Sequence, residues 1–169
     1  MAVVVKRSRG ASRLISRISN AGDVPPNPHA PVQDEETLYR RVLNGQDYYQ
    51  CDIATGEYRV TSSAFSDRHH WQPSVDRACL CGFNPRHTQQ NPENFVARLL
   101  CKQVRAINFN RANSGGVDVH PAPEEGNFAH TLIIVQPDWD QLTEDKAYKR
   151  FKQALARLAQ WEIGPLPLA

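Results

Sequence analysis

Four short segments constrain this chain more than any other feature, because each places polar side chains inside an apolar run of strand length. They are Leu38-Tyr39-Arg40-Arg41-Val42, Val60-Thr61-Ser62-Ser63-Ala64-Phe65, Pro73-Ser74-Val75-Asp76-Arg77-Ala78 and Phe128-Ala129-His130-Thr131-Leu132-Ile133-Ile134-Val135. Side chains on a strand alternate between faces, so such runs mount a polar cluster on a small sheet. That arrangement suits either a binding or catalytic site or a structural hydrogen-bond network.

The 169 residues fit one domain, and a 40% apolar fraction fits a modest core beside a segment that does not fold. Residues 1–33 read as that segment, a flexible basic and proline-rich arm. Lys6, Arg7, Arg9, Arg13 and Arg17 precede the first acid, Asp23, and the arm ends in Val24-Pro25-Pro26-Asn27-Pro28-His29-Ala30-Pro31. Prolines at that density deny the backbone helix and ladder bonds. A basic arm can follow a phosphate backbone or contact a protein partner; its bland reading is a solvated terminus. No run approaches the roughly 20 apolar residues of a membrane span, and Ala2-Val3-Val4-Val5 has its charges on the wrong side for a secretory signal. The expectation is a cytoplasmic protein with no membrane partner, whose Cys51, Cys79, Cys81 and Cys101 are reduced thiols.

Residues 34–163 read as a single α+β domain, a small, mostly antiparallel sheet packed by two helices, followed by a tail at 164–169. The spacing predicts strands at 38–43, 74–80, 117–120 and 128–135, the last being the most apolar and hence central. It predicts a hairpin, 48–53 and 58–61, around Thr55-Gly56. Asn91-Pro92-Glu93 predicts a helix start, and Phe95, Val96, Leu99 and Leu100 follow it at helical spacing. Residues 102–109 suit helix or strand, and strand is preferred. Thr143 predicts a cap for a helix over 144–161, with Tyr148, Phe151, Leu155 and Leu158 inward and Lys146, Lys149, Arg150 and Lys152 outward.

In their order, the four segments resemble a family of short uncharacterised bacterial proteins, over residues 34–135. The last motif of that family reads Asn-Pro-x-His, where this chain has Asn127-Phe128-Ala129-His130. The resemblance implies only that the polar positions belong together. The set Arg41, Ser63, Asp76 and His130, with no complete catalytic signature beside it, leads to the expectation of an accessory or binding protein of a multigene system of the conflict, defence or mobile-element type. The Leu-Tyr-Arg opening is also similar to RES-domain proteins, which implies an ADP-ribosyltransferase-like enzyme consuming NAD, with Arg40 or Arg41 as the first arginine. The chain departs from that pattern at Gly56-Glu57-Tyr58-Arg59 and offers no acid at the matching place after Ser62-Ser63.

From the residues themselves, the ligand-binding candidates are Arg41, Ser62, Ser63, Asp76 and His130, and the catalytic candidates are His130, Arg40, Arg41 and Ser63. Strand alternation allows only one of Arg40 and Arg41 into a given pocket. The inward arginine needs an anion, either Asp76 or a ligand phosphate or carboxylate. His130 suits acid–base work or phosphate binding, or else bonds a backbone carbonyl. A Ser63–His130–Asp76 triad can be drawn, but no Gly-x-Ser-x-Gly elbow accompanies it. No glycine-rich loop opens a helix, which argues against P-loop nucleotide binding. Cys79-x-Cys81, between His69-His70 and His87, has one residue too few for a zinc knuckle and reads as a pair on one strand face, so no metal is expected.

Overall fold

A computed structural model describes residues 26–67, 72–108, 116–135 and 145–166. The basic residues Lys6, Arg7, Arg9, Arg13 and Arg17 lie outside the described residues, as do Thr143, His69 and His70. The elements are β1 (Thr37–Val42), β2 (Tyr49–Cys51), β3 (Tyr58–Val60), a 3₁₀ helix at Ser62–Phe65, β4 (Ser74–Arg77), α1 (Arg86–Gln89), β5 (Phe95–Leu100), α2 (Cys101–Arg105), β6 (Val117–Pro121), β7 (His130–Val135), α3 (Asp145–Leu158) and β8 (Gln160–Ile163). The chain is an α+β domain. Its main sheet has the order β6-β7-β4-β1-β5-β8, every pairing antiparallel, and β2 and β3 form a separate hairpin.

Alternation along the strands sorts the two faces. Leu38 and Val42 of β1, Leu99 of β5, and Ile133 and Val135 of β7 enter the main core. There they meet Phe65 of the 3₁₀ helix and Tyr148, Phe151 and Leu155 of α3. Tyr39, Ala78 and Val96 form a smaller cluster on the opposite face. Burying a large apolar side chain such as Phe151 or Leu155, both fully buried, contributes about 1.5–3 kcal/mol each, so α3 owes its place to this stripe rather than to intrinsic propensity.

Several elements differ from the expectations. Residues 95–100 are a strand, not the continuation of a helix. Asn91 does accept from a backbone N–H, that of Glu93 at 3.0 Å, but as an Asx turn and not a helix cap. The segment lies between β1 and β8, where a near-continuous apolar run belongs. The preferred strand over 102–109 is instead the short helix α2, with Cys101 and Val104 buried one turn apart. Helix α3 ends at Leu158, and Gln160–Ile163 forms the edge strand β8, fixed by Trp161 Nε1 donating to Tyr58 O at 2.8 Å. Strand β7 is interior but next to the β6 edge; β4 and β1 hold the centre. Strand β4 stops at Arg77, so Cys79 and Cys81 lie in a turn and share no strand face. Lys152 does not face open solvent: it stacks on the Tyr148 ring, 4.4 Å from the centroid, and donates to Ser66 Oγ at 2.7 Å.

Residues 26–33 are held against the domain. Val32 is buried, Arg77 Nη1 donates to Ala30 O (2.8 Å), and Arg105 Nη2 donates to Val32 O (3.0 Å). Arg77 also pairs with Glu36 through two bonds of 2.8 and 2.7 Å, both side chains largely buried. Burial pushes the Glu36 carboxyl up, but donation from Arg77, from the Gln33 amide and from the Cys79 thiol outweighs it, and the group sits below the usual glutamate range.

Breaking this pair leaves a buried charge uncompensated, so Arg77→Ala is expected to lower unfolding free energy by about 3–5 kcal/mol in urea titration. Arg98→Ala, on an exposed pair with Glu162, is expected to cost less than about 1 kcal/mol. Because the folded Glu36 ionises below its unfolded value, its contribution is complete above that value and drains as pH falls through the folded one. The urea midpoint therefore falls on acidification, and Glu36→Gln falls by less than the parent over the same range.

Candidate functional site

Beyond Tyr39 the sheet parts. Strand β1 pairs with β5 through all six of its residues, but with β4 only at Leu38↔Arg77 and Tyr39↔Asp76. Strand β4 begins at Ser74, whose carbonyl is met by the Arg40 guanidinium, with Nη1 at 2.6 Å. A cavity of about 480 Å³ opens at this fork. It is within the range of small-ligand sites.

Alternation holds, with Arg40 buried and Arg41 exposed. Yet both line the cavity, contrary to the one-arginine expectation, because the fork joins the space on the two sides of β1. The two have different roles. Arg40 makes five hydrogen bonds: Nε to Ala64 O (2.8 Å), Nη1 to Ser74 O and Oγ, and a fork onto Asp67 at 2.8 and 3.1 Å. Every nitrogen of the guanidinium donates, Nη1 sharing its two hydrogens among three acceptors, so Arg40 fastens the 3₁₀ helix and Asp67 to β4. The expected Arg–Asp76 pair does not form; Asp67 is the partner. Among the described residues, Arg41 bonds only to the side-chain oxygen of Gln90.

Gln90 is itself unusual. Its backbone lies at φ 60°, ψ −42°, and Asn91 N–H donates to Gln89 O at 2.7 Å. That is a γ-turn of the rare, strained type with a non-glycine residue at its centre. The strain is maintained where Gln90 presents its amide to Arg41.

Asp76 and His130 are cross-strand partners on β4 and β7, in one row with Tyr39. Asp76 is 6% exposed. Its Oδ2 accepts from Thr88 Oγ1 at 2.7 Å and its Oδ1 from Asn127 Nδ2 at 2.8 Å. Gly126, at φ +81°, closes the turn Glu124–Asn127 that brings Asn127 there. His130 Nδ1 lies 2.8 Å from Ala122 O and 3.4 Å from Glu124 Oε1. A carbonyl only accepts, so Nδ1 carries a proton, and Nε2 makes no bond to the described residues.

Arg40, Arg41, Ser63, Asp76 and His130 thus line one cavity, while Ser62 does not. No hydrogen bond engages the Ser63 hydroxyl among the described residues. Among the other lining residues, Asp67, Thr88, Gln90, Glu124 and Asn127 carry polar groups and escaped the sequence reading. Asn127 belongs to the Asn-x-Ala-His run and was within reach of it. Thr88 and Gln90 lie between the strand expected over 74–80 and the helix start expected at Asn91, in a stretch without a candidate site residue.

Cys81 and Cys101 are poor nucleophiles, their thiols pushed up to about 11 chiefly by burial. Among the described residues no cluster of His, Cys, Asp and Glu can hold a metal, and no helix is long and apolar enough to cross a membrane. No protein-family model, curated protein or solved structure matches the chain.

Gln90→Gly is expected to raise the urea midpoint or leave it unchanged, since glycine occupies positive φ without penalty and the exposed Arg41 contact contributes little. Asp76→Ala is expected to cost about 1–3 kcal/mol, because it strands the Thr88 and Asn127 donors in the interior.

Proposed function

We propose that this chain is a cytoplasmic bacterial accessory protein of a multigene system, of the conflict, defence or mobile-element type, that holds a phosphate-bearing ligand in the cavity at the β1–β4 fork. The observation that carries the reading is Arg41. It is an exposed cation on the cavity wall with no carboxylate partner among the described residues, and it shares that cavity with Ser63 and His130, which keep unused bonding capacity. A guanidinium, a hydroxyl and an imidazole are together a suitable donor set for a phosphate group. The strained Gln90 turn supports the reading, since such strain collects at ligand sites. The accessory role rests on this residue set and on the lack of a complete catalytic signature in the sequence.

The test is a nuclear magnetic resonance titration with simple alkyl and nucleoside phosphates. Shifts are expected at Arg41, Ser63 and His130. Arg41→Ala is expected to weaken binding by about tenfold or more, the worth of a charge-assisted bond, with stability changed by less than about 0.5 kcal/mol. Phosphates that leave all three residues unmoved would remove the reading.

A second reading, an NAD-consuming enzyme of the RES type, is favoured by one observation. Glu124, 3.4 Å from His130, puts an exposed acid on the cavity wall, and such an enzyme needs an acid to orient and stabilise an oxocarbenium-like state. It predicts nicotinamide release from NAD that is lost in Glu124→Gln. Absence of release at high protein concentration eliminates it.

A further inference from the structure

The charges around the cavity do not balance in the way a purely anionic ligand requires. Arg40 and Asp67 cancel each other through their fork. That leaves Arg41 as the positive pole, with Asp76 and Glu124 as the negative one. Asp76 is the unusual member. It is 94% removed from solvent by its 6% exposure, yet each oxygen receives one neutral donor, Thr88 or Asn127, and no cation among the described residues pairs with it. Its sequence neighbour Arg77 is committed to Glu36, and Arg40 is committed to Asp67. A carboxylate accepts at about four sites, so about two remain. An ionised carboxylate buried without a cation is costly, and a bound ligand can supply what the chain does not.

We infer that the ligand of this cavity is bipolar: beside its phosphate it carries a protonated amine, which seats on Asp76 while the phosphate meets Arg41. The inference rests on the phosphate reading above. It follows from Asp76 being buried and without a cation on the same wall that holds Arg41. Glu124, at the His130 side, adds to the negative pole. A ligand with an anionic group alone would place that group against Arg41 and leave Asp76 uncompensated. A ligand with an ammonium group relieves both poles at once.

The probes are 2-aminoethyl phosphate, its N-acetyl derivative, 2-hydroxyethyl phosphate and ethyl phosphate, titrated into the full chain and followed by amide shifts. The aminoethyl compound is expected to bind about tenfold tighter than the other three, the gain of one charge-assisted contact. That advantage is expected to vanish in Asp76→Asn. Comparing the amine with its N-acetyl form needs no variant, so the inference stays testable if Asp76→Asn fails to fold. Equal binding of all four overturns the amine and leaves the phosphate reading standing. Tightest binding by the hydroxyethyl compound also overturns the amine, in favour of a hydroxyl donor. Failure of every probe to move Arg41, Ser63 and His130 overturns both.

Discussion

One buried guanidinium keeps the cavity open. Where the start of β4, Ser74 and Val75, parts from β1 while staying paired with β7, the backbone of a continuous sheet would close the gap with ladder bonds. Here Arg40 occupies the gap and bonds Ala64, Asp67 and Ser74 in their stead. A neutral side chain at that position could not satisfy three separate acceptors, and an unpaired arginine would be too costly to bury. The fork, the seat of the 3₁₀ helix and the mouth of the cavity therefore share one cause. The adjacent Arg41 is then available for other work.

The opposite side of the cavity follows a different logic. Asp76, Thr88, Asn127 and the Ala122 carbonyl hold each other and His130 in fixed orientation, so the row Tyr39–Asp76–His130 is built before any ligand arrives. Preorganisation of this kind lowers the ordering cost of binding. The cavity is thus asymmetric: its lining holds an arginine paired with a carboxylate, Arg40 with Asp67, a second arginine without one among the described residues, and a carboxylate, Asp76, that has only neutral donors and lies across from His130.

Much of the site was legible in the sequence because strand alternation converts a polar residue in an apolar run into a statement about position. Arg41, Asp76 and His130 share one cavity for that reason, whereas Ser63 reaches it from the 3₁₀ helix and not from a strand. The partner of Arg40 was not legible, since Asp67 follows an apolar segment with no pattern of its own. Gln90 was hidden for another reason: a γ-turn centred on a non-glycine residue has no composition signal. In the fold, the hairpin at Thr55-Gly56 and the stripe of α3 were readable from local pattern. Residues 95–105 were not, because Asn91-Pro92-Glu93 makes the same side-chain-to-backbone bond in an Asx turn as in a helix cap, and only the flanking strands β1 and β8 decide between them. The strand β8 was absorbed into α3 for a similar reason: Trp161 is apolar in either element, and its bond to Tyr58 is a tertiary fact.

The division of work between two neighbouring arginines is the core of this account, and side-chain Nε–Hε exchange measured on both, with and without a phosphate compound, tests it most directly. Arg40 should be protected and unchanged in both states, while Arg41 exchanges quickly when free and slows when the compound binds. A protected Arg41 that ignores the compound, with Arg40 responding in its place, would contradict it.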